Sequence, residues 1–133
     1  MPIRVVRDIN TPMRHDIQIG PHRFATDASL AGGGEGSAPE PHDLYDASLG
    51  ACKALTVLGY AKRKGIPLEG IQVSVDRDAS EERTGTYRLK VVLTLTGNLT
   101  DPQRQDLLRV AEKCPIHKLM TAVTTEIVTS LSS

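Results

Sequence analysis

The spacing of apolar residues changes period along the chain, and each change predicts an element. "IRVV" (3–6), "MRHDIQI" (13–19) and "RFAT" (23–26) carry apolar residues spaced as in short strands, with "GPH" (20–22) supplying turn chemistry before the third. "SLAGGGEGSAPEP" (29–41) has no period and reads as a mobile loop. From Pro41 to Lys64 the pattern is helical. Proline suits a first turn, while Lys62, Arg63, Lys64 and Gly65 are the cations and glycine of a helix end. "IQVSV" (71–75) and "YRLKVVLTLTG" (87–97) alternate with period two around the charged hairpin loop "RDASEERTG" (77–85). "LTDPQRQDLLRVAEKC" (99–114) reads as a second helix, capped by Thr100 or Asp101, with a buried stripe of Leu107, Ala111 and Cys114. The Thr-rich "AVTTEIVTSL" (122–131) reads as a last strand. This order is α+β, a sheet laid against helices, in a single domain over residues 1–133.

The long helix is unusual in being apolar on most sides. Leu44, Ala47, Ser48, Ala51, Leu55 and Leu58 form one face, which Leu49, Cys52 and Tyr60 widen past half the circumference. Asp46 and Lys53, seven residues apart, mark the obviously polar seam. Such a helix must be covered on most sides.

Composition narrows the function classes. Lys plus Arg equals Asp plus Glu, so no extended field favours nucleic acid or anionic lipid. Three tyrosines and one phenylalanine are too few for base-stacking platforms. "MPIRVVRDIN" has no apolar run suited to a signal peptide, and no stretch approaches the ~20 residues of a membrane span. The expected compartment is the cytoplasm, where a permanent disulfide is disfavoured.

Candidate chemistry therefore rests on Cys52 and Cys114. Free cysteine is often a small core residue, and both sit at inward helical positions. Against that reading, Cys52 follows the small residues Ala47, Ser48, Gly50 and Ala51, which permit close approach of another element or a substrate. Cys114 precedes Pro115, which ends helix pairing beside the thiol. A structural zinc fits poorly: His117 follows Cys114 by three, but no second close pair exists and His15, His22 and His42 are remote. No glycine-rich elbow precedes Cys52 for Cys–His hydrolysis, and the glycines of 29–41 lack the Gly-Lys-Ser/Thr of a phosphate loop.

"GPHRFATD", "AGGGEGSAPEPHDLYDASLGACKALTVLGYAKRKGIPLEGIQVSV" and "AEKCPIHKLM" together resemble the OsmC/Ohr family, the osmotically induced and organic-hydroperoxide-resistance proteins. The likeness runs in order from about Arg14 to the last predicted strand and is nearer the OsmC-like branch. Pro-x-x-Leu, Leu-Gly-Ala-Cys and Cys-Pro-Ile-His are its most specific parts. The resemblance implies an OsmC-like fold of antiparallel strands packed on a long central helix and a second, cysteine-bearing helix, in an intertwined homodimer. That partner subunit would cover the over-apolar helix. It also implies a thiol-dependent peroxidase for organic hydroperoxides, and more weakly hydrogen peroxide. Cys52 would be the peroxidatic thiol and Cys114 the resolving one, with no bound cofactor and a lipoyl-type dithiol as external reductant.

The family activates its thiolate with an arginine from the N-terminal strands, held by an acidic residue at the helix entry. Arg14 matches that arginine, with Arg23 second; apart from the resemblance, either reads as a surface arginine. Where the Ohr branch has glutamate, ten before the cysteine, this chain has His42, followed by Asp43. At 100° per residue neither shares the face of Cys52. Either, or neither, orients the arginine. Tyr45, seven before Cys52, shares its face as pocket wall or core. Lys53 points about 100° away from Cys52 and is expected to miss it.

Two other classes stay open at this point. A non-catalytic homodimer binding a small apolar ligand would label both thiols slowly and equally. A redox sensor or sulfur carrier would form the disulfide without sustained turnover.

Overall fold

The computed structural model describes residues 2–132. In chain order the elements are β1 (Ile3–Arg7), β2 (His15–Ile19), β3 (His22–Thr26), α1 (Pro41–Lys64), β4 (Leu68–Asp78), β5 (Arg88–Gly97), α2 (Asp101–Glu112) and α3 (Pro115–Thr121). They gather into two compact units, Met1–Ala47 and Ser48–Ser133, with the boundary falling within α1.

In the first unit β1, β2 and β3 form an antiparallel sheet in that order, with Ile17 opposite Val5 on one side and Phe24 on the other. Gly20 turns the β2–β3 hairpin with a φ of 57°, which Pro21 can follow as in a type II′ turn. The stretch after β3 holds no strand or helix before Pro41, but it is not the loosely held loop its composition suggests. Asp27, 3 % exposed, gathers it. Its carboxylate accepts hydrogen bonds from the amides of Ala28 (2.8 Å), Glu35 (3.3 Å) and Ser37 (3.0 Å) and from the Ser37 hydroxyl (2.7 Å). Those donors, the hydroxyl first, hold the carboxyl down at about 2 against an ordinary 3.8. Gly34 permits the wrap: a Cβ there would lie 2.2 Å from the Ala28 carbonyl oxygen.

In the second unit β4 and β5 form a long antiparallel hairpin, closed through Gly85 at φ 104°. The period-two reading of β5 holds: Leu89, Val91, Leu93 and Leu95 are part-buried between exposed neighbours. Val57, Ala61, Leu107 and Ala111 form the core, packed about by Tyr60, Ile66, Leu68, Ile71, Leu93, Leu95, Leu99 and Val110. Leu107 and Ala111 of α2 are buried as expected; Cys114 is buried too, but it lies beyond the helix end rather than on it. Thr100 is the cap of α2, in a reciprocal box with Gln103. Tyr60 ties α1 to α2 by donating to Asp106 at 2.7 Å; that bond, and then burial, raises the phenol's pKa.

Three expectations are corrected. Within the chain α1 buries Leu49, Gly50, Lys53, Val57 and Ala61, whereas Ala47 and Ala51 are exposed and Leu55 is 72 % exposed. A helix apolar nearly all round does not declare which side meets its own core. Gly50 decides it, since a Cβ there would lie 3.1 Å from Val75 of β4, and the close approach turns that side inward. Asp46 and Lys53, read as the polar seam, are both buried. Residues 122–131 form no strand: Ala122 ends α3, and Ile127, Val128 and Leu131 are exposed. Thr and Ile record β-propensity, but a strand exists only where another backbone takes its hydrogen bonds.

Candidate active site

α2 ends at Glu112, and Lys113 leads to Cys114, whose extended backbone makes it the cap of α3. Pro115, lacking an amide donor, enforces the break and opens the short helix. At this corner both thiols meet the same segment of backbone. The Ile116 amide donates to Cys52 Sγ at 3.5 Å, and the next amide, His117, donates to Cys114 Sγ at 3.4 Å. Adjacent amide nitrogens are no more than about 4 Å apart, so the two sulfurs lie within roughly 11 Å of each other. Both cysteines are free, Cys114 fully buried and Cys52 part-exposed. Cys52 Sγ also lies 3.9 Å from the Thr56 hydroxyl, one turn along α1. A part-exposed sulfur and a buried one thus share a single corner.

The residue that sequence reasoning missed is Lys53. It is 4 % exposed and sits inside the same corner. Its Nζ donates to the Ala111 carbonyl at 2.6 Å, one of the last carbonyls of α2, and lies 2.9 Å from His117 Nδ1. A protonated lysine amine only donates, so Nδ1 is the acceptor of that bond. The available signal was that Lys53 shares a helical stripe with Leu49, Val57 and Ala61.

The remaining site residues belong to the first unit. Arg14 immediately precedes β2, and its guanidinium donates to the Ser37 hydroxyl at 2.7 Å and carbonyl at 3.2 Å. Ser37 in turn donates to Asp27, so an Asp27–Ser37 relay anchors Arg14. Asp43 accepts the Glu40 amide at 3.1 Å, capping the entry of α1. His42 lies beside it in the first turn, and Tyr45 is half-exposed on the next. Arg23 is an exposed residue of β3, opposite Gln18. Among the described residues no three His, Cys, Asp or Glu side chains gather as a metal site, and no helix is long and apolar enough to cross a membrane.

Residues 34–128 match the family model of the OsmC-like proteins. No curated protein matches the chain. Among solved structures it is similar to a putative osmotic stress induced and detoxification response protein from Psychrobacter arcticus, with a TM-score of 0.76 and 21 % identity over 92 % of this chain and 89 % of that one. An organic hydroperoxide resistance protein from Legionella pneumophila gives a TM-score of 0.63 at 22 % identity over 92 % and 90 %. The organic hydroperoxide resistance protein OhrB of Bacillus subtilis gives 0.56 at 23 % over 92 % of each chain. At such identities the structural likeness carries the fold. The family match covers well over half of the sequence and takes in both cysteines, their helices and the Cys-Pro-Ile-His corner, and on that ground the chain belongs to the OsmC-like protein family.

Proposed function

We propose that the protein is a thiol-dependent peroxidase that reduces organic hydroperoxides at Cys52 and resolves the product with Cys114. The observation that carries this reading is the shared corner, where consecutive amides of α3 donate to the two sulfurs. The Cys52 thiolate attacks the outer peroxide oxygen, the O–O bond breaks, and the alkoxide leaves as alcohol after taking a proton. Cys52 is thereby oxidised to a sulfenic acid. Condensation with the Cys114 thiol forms the S–S bond and releases water. An external dithiol, of lipoyl type by family likeness, then reduces the disulfide by two exchanges and is itself oxidised to a cyclic disulfide.

Family likeness gives Arg14 the role of the cation that keeps Cys52 ionised. The Asp27–Ser37 relay stands in for the missing glutamate as the anchor of that guanidinium. The hydroperoxide-resistance names of the Legionella and Bacillus proteins support the substrate class. A homodimer agrees with the apolar residues α1 leaves uncovered, Leu55 foremost. Hydrogen peroxide is the weaker substrate, and the cytoplasm is the working compartment.

Stopped-flow oxidation with cumene hydroperoxide and with hydrogen peroxide, on the wild type and Cys52→Ser, tests the proposal. Rapid oxidation, faster with the organic peroxide and lost in Cys52→Ser, is expected; Cys114→Ser completes one turnover and stops at sulfenic acid. Peroxide consumption that is equally slow with and without Cys52 would sink it.

A further inference from the structure

Cys114 occupies the corner between two helices, and a single side chain of α1 reaches both arms of that corner. Lys53 Nζ reaches Ala111, three residues before Cys114, at 2.6 Å, and His117, three residues after it, at 2.9 Å. The same lysine is the neighbour of Cys52 on α1. No carboxylate pairs with this buried amine among the described residues; its partners are one carbonyl and one imidazole, both belonging to the corner. A buried amine is costly to keep and is retained only where its hydrogen bonds are made. Core packing alone does not call for it, because Val57 and Ala61, one and two turns along the same stripe, are apolar and fully buried.

From this bracket we infer that Lys53 is a positioning residue for the Cys52–Cys114 pair. It fixes the α2–α3 corner to α1, so that Cys114 stays within reach of Cys52 when a bond between them forms. Contact with the reacting atoms is not part of the role; Lys53 acts through Ala111 and His117. The step it assists is condensation of the Cys52 sulfenic acid with the Cys114 thiol, giving one disulfide and one water, and to that extent the inference rests on the peroxidase reading. The geometric part does not: the effective concentration of one thiol at the other is a property of the corner whatever oxidises it.

Equilibration of the full-length protein in glutathione redox buffers tests this directly. Protein dithiol and oxidised glutathione exchange to protein disulfide and two reduced glutathiones, and the equilibrium constant reports the effective concentration of the pair. Lys53→Met keeps an unbranched side chain of similar length and lacks the donors. It is expected to lower that constant at least tenfold, with Lys53→Arg, which retains donors, recovering part of the loss. A second pair guards against misfolding. His117→Asn retains an acceptor for Lys53 and stays within about threefold of wild type, whereas His117→Leu falls with Lys53→Met.

In cumene hydroperoxide single turnovers, Lys53→Met slows disulfide formation at least tenfold. Its first oxidation of Cys52 slows less than threefold, so sulfenic acid accumulates. Equal glutathione constants for wild type, Lys53→Met and His117→Leu would overturn the inference. A wild type that forms the disulfide in glutathione but ignores hydroperoxide would overturn the peroxidase reading and leave the role of Lys53 standing.

Discussion

Replacing Leu107 by alanine is the most direct probe of what holds the candidate site. Leu107 is fully buried at the centre of the second unit, among Val57, Ala61 and Ala111. Its helix leads through Lys113 into Cys114, seven residues further on. Leu→Ala deletes three carbons, worth roughly 2.4 kcal/mol of transfer free energy, and a partly collapsed cavity adds about 1 more. The expected loss is therefore about 3.5 kcal/mol. With about 2.1 cal/mol/K of unfolding entropy per residue, the 133-residue chain should lose about 12 °C in Tm. Urea unfolding is the assay, with the midpoint falling and the slope unchanged. Leu108→Ala, at a residue 42 % exposed, is the control and should cost under about 1 kcal/mol. A Leu107→Ala loss below about 1.5 kcal/mol, or equal losses at the two positions, would mean that α2 is not seated as described.

Acid should loosen the first unit through Asp27. Its carboxyl is held at about 2 in the fold against an ordinary 3.8, so the unfolded chain takes up the proton more readily. The stabilisation is full above about 3.8 and is lost as pH falls through about 2. Urea midpoints of the wild type and Asp27→Asn should converge across that window, and parallel curves would refute the assignment. Ser37→Ala, which removes the largest cause of the depression, should shift the Asp27 titration measured by NMR upward. Thr100→Ala breaks the capping box of α2, with its bonds of 3.2 Å to the Gln103 amide and 2.9 Å from the Thr100 amide to Gln103. It should cost about 1 kcal/mol, read as a Tm drop of roughly 3–4 °C.

Local chemistry was legible in the sequence wherever the determinant lies within a few residues. The span of α1 follows from Pro41 and the basic, glycine-ended terminus; the cap of α2 from Thr100 and Gln103; the exposure pattern of β5 from strict alternation. The importance of the Cys-Pro-Ile-His corner was also visible, because proline after the second cysteine dictates a helix break whatever surrounds it. The short helix that follows the break was not foreseen, since seven residues carry too little periodicity to announce it.

Other features depended on what each segment meets in space. Periodicity groups Leu49, Lys53 and Val57 on one stripe of α1, but the contact of Gly50 with β4 turned that stripe inward and made Lys53 a buried clamp. Ser37, twenty-three positions beyond Arg14 in a glycine-rich stretch, became its anchor only because Asp27 draws the loop closed. The tail 122–131 has the residues of a strand, and no backbone within the described chain pairs with it as one. The sequence thus determined which conformations were locally cheap and where along the chain the two sulfurs lay. Tertiary structure decided which faces were buried and which polar groups found partners, because burial and hydrogen bonding depend on neighbours that are remote along the chain.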